Sequence, residues 1–511
     1  MDVDPNPDAG AVRGRLDILD REAVLLRQQL RLIDTERKTL LTALRSRPSA
    51  VATLPSDVLA EIFARCLRPS PDVAIGHSPS LARLDRPGGK PRPPAPLLLA
   101  SVCAGWRAAA LSLPFVWASV SVHTSTDFES TEKLLELWLA RAGTHPLTVA
   151  IGNGEAIPRI LSFIEPRLHQ IEDLSLVFQN AGEIPSNWLV GRLPNVCKLT
   201  LQAYTGENVI SLDAFGDLPA LRELSVYGLV PNEVQLPWAA LTTLHLDEVD
   251  IDAALLYLQL TPNVQSLSIT MNPREPATVP DRLVTLPRLH TLRLFTEGDN
   301  EILDCLVLPA LHTLELPDLY DISNVFHLEP RFTRFVERSG CRQTLKALTF
   351  ASAEHIGLEP AVLGILAQTP ALEYLRVQEA GWGRNEIRRL CELLAEPADD
   401  PGLRFLPNLQ ELVISPLTSA VELPYAALAA MLVARQPRGL RVFELVVAPL
   451  PALFDGYVPV EDLDEALGVL RRLSAGHGRG GMQLRVRGLA GVLQEEMDAY
   501  AVYPVQKAIG E

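Results

Sequence analysis

Leu286-Pro-Arg-Leu-His-Thr-Leu-Arg-Leu and Leu308-Pro-Ala-Leu-His-Thr-Leu-Glu-Leu are two copies of one pattern, and they begin 22 residues apart. The pattern is Leu-Pro, then a first aliphatic residue, then two more aliphatic residues separated by one position. Side chains alternate between the two faces of a β-strand, so the last two aliphatics of each copy share one face. Four further copies begin at residues 193, 218, 369 and 406, and weaker variants occupy 241–246, 262–269, 345–350 and 440–445. The sequence therefore predicts a series of equivalent short strands.

The spacing of these copies predicts a repeat architecture. The first aliphatic residue of each copy stands at 171, 196, 221, 241, 264, 289, 311, 345, 372, 409 and 440, so the first six intervals are 20 to 25 residues long. Leucine-rich repeats have periods of 20 to 29 residues. The copies resemble irregular leucine-rich repeats but lack the Asn or Cys expected after the strand, since Leu201 leads into Gln-Ala-Tyr and Leu246 into Asp-Glu-Val. The carbonyls of those turns must find other partners.

An α/β fold follows, with a leucine-rich-repeat solenoid over 115–487 and a weak cap or tail over 488–511. Each repeat returns the chain so that parallel strands stack, and every inward leucine is buried only if a neighbouring repeat covers it. The outward positions of such strands form the concave face. The residues at these positions are of mixed polar character, which is equally consistent with a binding face and with an ordinary solvated surface. The candidate residues of that face are Lys198, Glu223, Tyr227, His245, Arg293, Phe295, Glu315, Tyr374 and Arg376.

Two shorter stretches upstream predict small helices. Leu-Pro-Ser-Asp-Val-Leu-Ala-Glu-Ile-Phe occupies 54–63, where Pro55 suits a first helical turn and Asp57 places a negative charge at the positive end of the helix dipole. The second stretch, Ser-Val-Cys-Ala-Gly-Trp-Arg at 101–107, lies within an apolar stripe with a spacing of four residues: Leu98, Val102, Trp106 and Ala110. Two small helices with apolar faces need a third surface to bury them.

These residues resemble an F-box over 53–114, with a Pro-rich insert at 68–96 where the family has a short linker. The resemblance rests on Leu54, Pro55, Asp57, Val58, Leu59, Ile62, Phe63, Leu67, Val102, Cys103, Trp106, Arg107, Pro114 and Trp117. It implies a partner-binding set of Leu54, Pro55, Val58, Leu59, Ile62 and Phe63. It also implies a box core of Val102, Trp106 and Trp117, with the two tryptophans joining the box to the first repeat. We expect the insert to be a surface loop, and its basic residues to be solvated rather than a binding patch.

An N-terminal helix is the remaining element. Residues 1–12 are acidic and predict a disordered tail, whereas 13–47 predict a coiled-coil helix, with apolar or small residues at alternating steps of three and four. These residues are Leu16, Leu19, Ala23, Leu26, Leu30, Ile33, Leu40 and Leu44, and only Arg37 breaks the series. Asp20, Glu22, Arg27, Asp34 and Glu36 occupy the flanking e and g positions. Self-association, packing on the box, and binding of a partner helix remain alternatives.

The bulk composition excludes several function classes. The formal net charge of −16 argues against nucleic acid as the main ligand, because binding phosphate requires a basic surface. No run of 18 apolar residues occurs, and the first residues lack a secretory signal, so we expect no membrane partner and a cytoplasmic or nuclear location. The six cysteines form no Cys-x-x-Cys pair.

No catalytic, cofactor or metal site emerges from the motifs. The Gly-rich run at 476–481 lacks the Gly-Lys-Ser/Thr of a phosphate loop. His290 and His312 occupy equivalent positions in successive repeats, either as a metal or pH-sensitive pair or, more simply, as polar residues at strand entries. We expect no enzyme activity and no cofactor.

The F-box resemblance implies an adaptor that docks a Skp-type protein, and through it a cullin-type ubiquitin ligase, while the repeats bind a protein substrate. The alternative is a non-ligase interaction scaffold, dimerised through residues 13–47. Binding of a Skp-type adaptor distinguishes the two.

Overall fold

The computed structural model describes most of the repeat region and the helices that precede it. The described residues are 9–46, 54–67, 95–122, 128–152, 157–178, 189–203, 215–216, 218–231, 235–271, 282–296, 301–319, 322–351, 359–378, 384–396, 405–415, 423–447 and 483–488. They form two compact units. The first holds the described residues up to 117 together with 139–143, and the second holds 118–138 and the described residues from 144 onward.

The first unit is helical. Its elements are α1 Ala9–Ser46, α2 Ser56–Leu67, α3 Ala95–Val102, α4 Ala104–Ser112 and a 3-10 turn at Pro114–Trp117. Helix α1 begins at Ala9, so the prediction of a disordered tail is wrong for residues 9–12, and residues 1–8 lie outside the described part. Likewise, α3 begins at Ala95, so the last two residues of the predicted Pro-rich insert are helical; residues 68–94 are not described.

A break at Cys103 separates α3 from α4 and rearranges the predicted stripe. Cys103 has an extended backbone, and its Sγ accepts a hydrogen bond from the Trp106 amide at 3.4 Å, which caps α4. Because the two helices no longer share one axis, the stripe with a spacing of four residues is not one surface. Ala110 is buried, but Leu98 and Val102 are exposed, and Leu99 is buried in their place.

The second unit is dominated by strands, as the repeats predict. They are β1 Ser119–Val122, β2 Leu147–Ile151, β3 Ile171–Phe178, β4 Lys198–Ala203, β5 Glu223–Tyr227, β6 Thr243–Val249, β7 Ser266–Met271, β8 Val284–Thr285, β9 Thr291–Thr296, β10 Leu306–Val307, β11 Thr313–Leu319, β12 Ala347–Ala351, β13 Tyr374–Gln378, β14 Glu411–Ser415, β15 Val442–Val447 and β16 Gln483–Gly488.

Fourteen of these strands form one parallel sheet in chain order, and β8 pairs with β10 in a separate two-stranded sheet. The inward aliphatics stand in register from strand to strand, for example Leu199, Leu224 and Leu244, and each is fully buried. The predicted α/β class with a large parallel sheet is confirmed, and the second unit is a solenoid of the leucine-rich-repeat type.

Helices return the chain between strands on the side of the buried leucines. They are α5 Phe128–Ala142, α6 Ile157–Ile164, α7 Ile251–Leu260, α8 Ile322–Ser339, α9 Glu359–Ala367, α10 Arg384–Ala395 and α11 Tyr425–Arg435. The described helices include none that is both long and apolar enough to cross a membrane. A helix is also predicted over 461–473, and a cap over 488–511; of these, only Gly488, the last residue of β16, lies among the described residues.

Hydrogen bonds ahead of the strands join neighbouring repeats. At strand entries, two successive amides share one carbonyl of the preceding repeat: the amides of Arg222 and Glu223 both donate to Cys197 O, at 2.9 and 3.0 Å. Asparagine before the strand adds a second link. Asn195 donates to His169 O at 2.6 Å, and Asn263 donates to Ala239 O at 2.8 Å. Neighbouring repeats are therefore joined ahead of the sheet as well as within it.

Arginines on the helices provide a third link. Arg338 at the end of α8 donates to the carbonyls of Leu303 and Leu306. Arg435 at the end of α11 donates to the carbonyls of three residues, which are Leu394, Phe405 and Leu406. Arg331 is nearly buried, with its Nε 2.6 Å from Asp304 Oδ2. These side chains tie each helix to the loop or helix of the preceding repeat.

Candidate functional site

All nine residues predicted for the concave face lie on one side of the large sheet, opposite the buried leucines. We call this side the open face. The strand register arranges it in rows that run across the strands. Lys198, Glu223 and Tyr374 lie in the first row; His245, Arg293, Glu315 and Arg376 lie in the second; Tyr227 and Phe295 lie in a third.

A charge cluster occupies the open face of β3 to β6. Lys198 Nζ lies 2.5 Å from Glu223 Oε1, and His245 Nε2 lies 3.7 Å from the same oxygen. Asp173 stands beside Lys198 in the register, and burial raises the pKa of its carboxyl even though Lys198 opposes the shift. Sequence reasoning missed Asp173. It directly precedes the inward Leu174 of the first clear repeat, so the register of the repeats was the signal that would have found it.

A second charge pair lies on β9 and β11. Arg293 Nε is 2.6 Å from Glu315 Oε2, and its Nη2 is 2.5 Å from that oxygen. Together with the Lys198–Glu223 pair, this contact neutralises charge within the face instead of building one sign. The open face therefore carries both signs of charge in closely spaced pairs.

Polar atoms without hydrogen-bond partners lie between and beside these pairs. Ser268 is only 4% exposed, and it lies in register between His245 and Arg293. Its Oγ, His245 Nδ1 and Arg376 Nε are buried without a hydrogen bond in the described structure. An unsatisfied buried polar group costs about 1–3 kcal/mol.

Tyr374 and Arg376 form a third group, on β13. Burial raises the pKa of the Tyr374 hydroxyl, while Arg376 opposes that shift by its charge and by a hydrogen bond. The two aromatics of the third row are not adjacent, because β6 and β7 separate Tyr227 on β5 from Phe295 on β9. The structure thus joins seven of the predicted residues into three groups and leaves two half-buried aromatics apart.

The surroundings of His245 predict a stability that depends on pH. Burial lowers the pKa of its imidazole below the ordinary 6.5, with Lys198 and Arg293 acting in the same direction and Glu223 opposing them. Between the lowered pKa and 6.5 the unfolded chain binds more protons than the folded chain, so stability is full above pH 6.5 and falls as the pH drops below it. We expect the urea midpoint of the wild type to fall more between about pH 7.5 and about pH 5.5 than that of His245→Gln.

The matched control for that measurement is His169→Gln, because His169 is an exposed histidine of the same array. This variant should keep the full pH dependence of the wild type. Equal pH dependence in His245→Gln and the wild type would contradict the assignment to His245.

The residues predicted to bind a partner through the box divide into two groups. Pro55 and Val58 are exposed, and Leu54 and Ile62 are half-buried. Leu59 and Phe63, however, are buried inside the box, so their prediction as partner-facing residues is wrong. The reason is helical geometry: Leu59 and Phe63 are four residues apart and share the face of α2 that packs on α3 and α4.

The predicted box core also needs a correction. Trp106 packs edge-on against Phe63 with ring centroids 5.1 Å apart, and the Trp117 indole donates to Ala110 O at 2.7 Å. Val102, in contrast, is 56% exposed, because the break at Cys103 turns the end of α3 outward. The Arg141 guanidinium lies 4.3 Å from the centre of the Trp117 ring, in the part of α5 that belongs to the first unit.

The box leaves an apolar surface uncovered. We call it the box patch and define it by its exposed side chains Val58, Leu97, Leu98, Val102 and Leu111. A groove of about 350 Å³ runs along part of the first unit, lined by Leu97, Leu111 and Trp117 and edged by Arg107 and Arg141. Sequence reasoning missed Leu97 because the Pro-rich insert obscured where α3 begins, and it missed Leu111 because this residue of α4 lies outside the predicted stripe.

His290 and His312 lie side by side at the entries of two strands. The rings of His290 and His312 are 5.3 Å apart, and His312 Nδ1 lies 2.6 Å from Ala310 O, at the strand entries. Within the described ranges, no group of three or more His, Cys, Asp or Glu residues is arranged to hold a metal ion. The Gly-rich run at 476–481 lies outside the described residues.

Comparison with known proteins identifies no family for this chain. No family model matches it, and no curated protein matches it. Among solved structures, a chain in "Crystal structure of TLR13-ssRNA13 complex" aligns with 60% of this chain at 16% identity and a TM-score of 0.33. The match spans about half (47%) of that chain's length. The repeat architecture described above rests on the strand register of this protein itself.

Proposed function

We propose that this protein is the substrate-recognition adaptor of a cullin-type ubiquitin ligase. In this proposal the box docks a Skp-type adaptor, and through it a cullin, while the open face binds a protein substrate. The chain supplies no catalytic group of its own and acts by positioning the substrate for a transfer that its partners perform. The proposed location is cytoplasmic or nuclear, where such ligases assemble.

The observation that carries the proposal is the box patch. Val58, Leu98 and Val102 are large aliphatic side chains that stay exposed although the helices beneath them have a buried core. Several large aliphatic side chains exposed on one small folded unit are more apolar surface than such a unit needs to leave in water, and this favours an interaction site. The F-box resemblance of residues 54–63 and 101–107 then indicates which partner such a patch would fit.

The open face supports the second half of the proposal. Its paired charges and half-buried aromatics offer a mixed polar surface, which is the composition that protein partners recognise with hydrogen bonds and complementary charges. Parallel repeat arrays present such faces to macromolecules. Protein substrate is therefore favoured over nucleic acid.

Changing Val58 tests the adaptor contact. We expect Val58→Asp to reduce the amount of purified Skp-type adaptor retained by the immobilised full chain by about tenfold or more, because a carboxylate is then desolvated in an apolar interface. Val58 is 40% exposed, so the helix content by circular dichroism should not change. Ser56→Asp is the matched control, since it adds the same charge to the exposed first residue of α2. Undiminished retention by Val58→Asp would refute the contact.

A second candidate function is a non-ligase interaction scaffold dimerised through its N-terminal helix. It is favoured by a separate observation, the row of exposed leucines on α1. The same experiment distinguishes the two. If wild-type chain with a folded box retains no Skp-type adaptor, the scaffold is the better description, and the open face keeps its role.

A further inference from the structure

Helix α1 exposes its apolar side chains along most of its described length. Leu26 and Leu30 are 64% and 62% exposed, and Leu19, Ile33 and Leu40 are exposed to a similar degree. In chain order these five residues follow steps of seven, four, three and seven, which are the a and d positions of a heptad repeat. A solitary helix with such a seam is marginal in water, so the seam requires a partner.

We propose that the partner is α1 of a second copy of this chain, aligned parallel and in register in a coiled coil. The inference deepens the dimer of the second candidate function, and it is independent of the ligase proposal because it rests on α1 alone. It states that the two helices are parallel. The evidence for this orientation is the set of charged residues beside the seam.

The charged residues beside the seam favour the parallel arrangement. In the heptad set by Leu26 and Leu30, Glu22 is a g position and Arg27 is the following e position. In a parallel, in-register pair, each g residue meets the e residue five positions later on the other helix. Glu22 of each copy therefore meets Arg27 of the other, and the symmetry of the pair makes this contact twice.

An antiparallel arrangement meets like charges instead. There, g positions face g positions and e positions face e positions. The antiparallel register that brings Leu26 opposite Leu30 therefore places Glu22 opposite Glu36 and Arg27 opposite Arg27. Like charges at these positions are destabilising. The charge pattern thus disfavours this antiparallel register, whereas the parallel, in-register pair places Glu22 against Arg27 twice.

Arg37 gives a second indication of a fixed register. It is the only charged residue at a seam position, and α1 carries it toward the C-terminal end. A single polar residue in a seam sets register and the number of helices at a cost in stability. In the parallel pair, Arg37 lies next to Glu36 of the other helix, whose charge is opposite.

The parallel arrangement has a structural consequence. Both copies leave the coiled coil at the same end, because α1 ends at Ser46 and the box begins at residue 54. The two boxes and the two open faces of the dimer are then linked through one coiled coil. A partner with two binding segments is held more tightly by such a pair than by one copy, through effective concentration.

Light scattering on the full chain tests the association. The chain has a mass of 56.0 kDa, so at micromolar concentration we expect about twice that mass. Leu30→Asp should return the mass to that of one chain, because a carboxylate is then placed in the seam. Leu30 is exposed, so circular dichroism of the strands should be unchanged in this variant. A wild type with the mass of one chain, or an undiminished dimer in Leu30→Asp, would overturn the proposal.

A charge reversal tests the orientation. Glu22→Lys should raise the dimer dissociation constant about tenfold, because each lysine then meets Arg27 of the other copy. Glu22→Lys combined with Arg27→Glu should restore it to within about threefold of the wild type.

In the antiparallel register that pairs Leu26 with Leu30, Glu22→Lys would meet Glu36 and strengthen the dimer. A lowered dissociation constant for the single variant would therefore sink the parallel arrangement. In antiparallel registers shifted by one heptad, position 22 faces the uncharged Gln29 or Ala43, so the constant would not change. An unchanged dissociation constant would therefore also contradict the parallel pair.

Disulfide trapping provides an independent readout. In a chain with Cys66→Ser and Cys197→Ser, which removes the exposed cysteines of the described residues, Leu26→Cys should form an intermolecular disulfide under mild oxidation. The geometry requires Cβ atoms within about 4.5 Å, which facing d positions of parallel helices approach. Gln28→Cys, on the outer side of the helix, is the matched control. Equal crosslinking of the two variants would contradict the seam.

Discussion

Replacing Arg435 with methionine is expected to lower the free energy of unfolding of the C-terminal repeats by about 3–5 kcal/mol, since three buried carbonyls lose their donor. Arg435 is 3% exposed at the end of α11. Its Nε lies 2.6 Å from Leu394 O, and its Nη1 lies 2.7 Å from Leu406 O. Phe405 O accepts a third bond. Methionine keeps the apolar stem and removes only the donors.

Strain in the loop that Arg435 binds offsets part of that loss. Leu406 has a φ of 46°, a left-handed conformation that costs a non-glycine residue about 1–2 kcal/mol. The guanidinium holds that conformation by binding the carbonyl of the same residue. Without it, the turn ahead of β14 should relax to an ordinary backbone angle, and the entry of the strand should loosen with it.

Urea unfolding followed by circular dichroism measures the effect, and hydrogen exchange locates it. Amides of 405–415 should lose protection in Arg435→Met, while those of 223–249 should keep it. Arg441→Met is the matched control, because Arg441 is an exposed arginine six residues further along. It should shift the midpoint little. An unchanged midpoint in Arg435→Met would show that the three bonds contribute no net stability.

The strands could be predicted from the sequence alone, whereas the contacts of Arg435 could not. Strand positions follow from local alternation, so Leu292 and Leu294 identify β9 without knowledge of anything distant. Arg435, in contrast, bonds to carbonyls 29 to 41 residues earlier in the chain. Nothing in the local pattern distinguishes it from an exposed arginine. Long-range contacts of a side chain with a loop are set only after the repeats have stacked.

The open face was predictable for the same reason as the strands. Its nine predicted residues alternate with buried leucines, and alternation alone places them opposite the core. Which of these side chains contact each other was not predictable, because those contacts depend on the register between neighbouring strands. Lys198 meets Glu223 only since β4 and β5 are adjacent and in register. The Oγ of Ser268 is left without a hydrogen bond by the same geometry, since the register sets its neighbours.

The box was harder to predict, since its helices are short and one break changes the outcome. The stripe of 98, 102, 106 and 110 requires one continuous helix, and Cys103 ends that continuity. A residue that caps a helix through sulfur is a weak signal in a sequence. Consequently, α2 overlaps the first predicted stretch, but the predicted helix over 101–107 is divided at Cys103. Several residues were assigned to the wrong face, and Leu59 belongs to the core and not to the predicted interface.

Phe63→Ala is expected to unfold the box while the repeats stay folded, which separates folding from partner binding. Phe63 is fully buried, and its ring meets Trp106 edge-on at 5.1 Å. Truncating a buried phenylalanine costs about 3–5 kcal/mol, and the aromatic contact adds about 0.5–1.5 kcal/mol. A box of three short helices has no more than a few kcal/mol to lose, because small cores are marginal.

Hydrogen exchange measures whether the box has unfolded. Amides of 56–67 and 104–112 should lose protection in Phe63→Ala, whereas the amides of β5 to β7 keep theirs. Val58→Ala is the matched control, because Val58 lies on the exposed side of the same helix and its truncation leaves no cavity. The two α2 positions then give different results. Substituting Phe63 should remove the protection of the box amides, whereas substituting Val58 should leave the box folded and change only its binding of the adaptor. Retained protection at 56–67 in Phe63→Ala would contradict the core described for the box, and adaptor binding by that variant would have to be explained without α2.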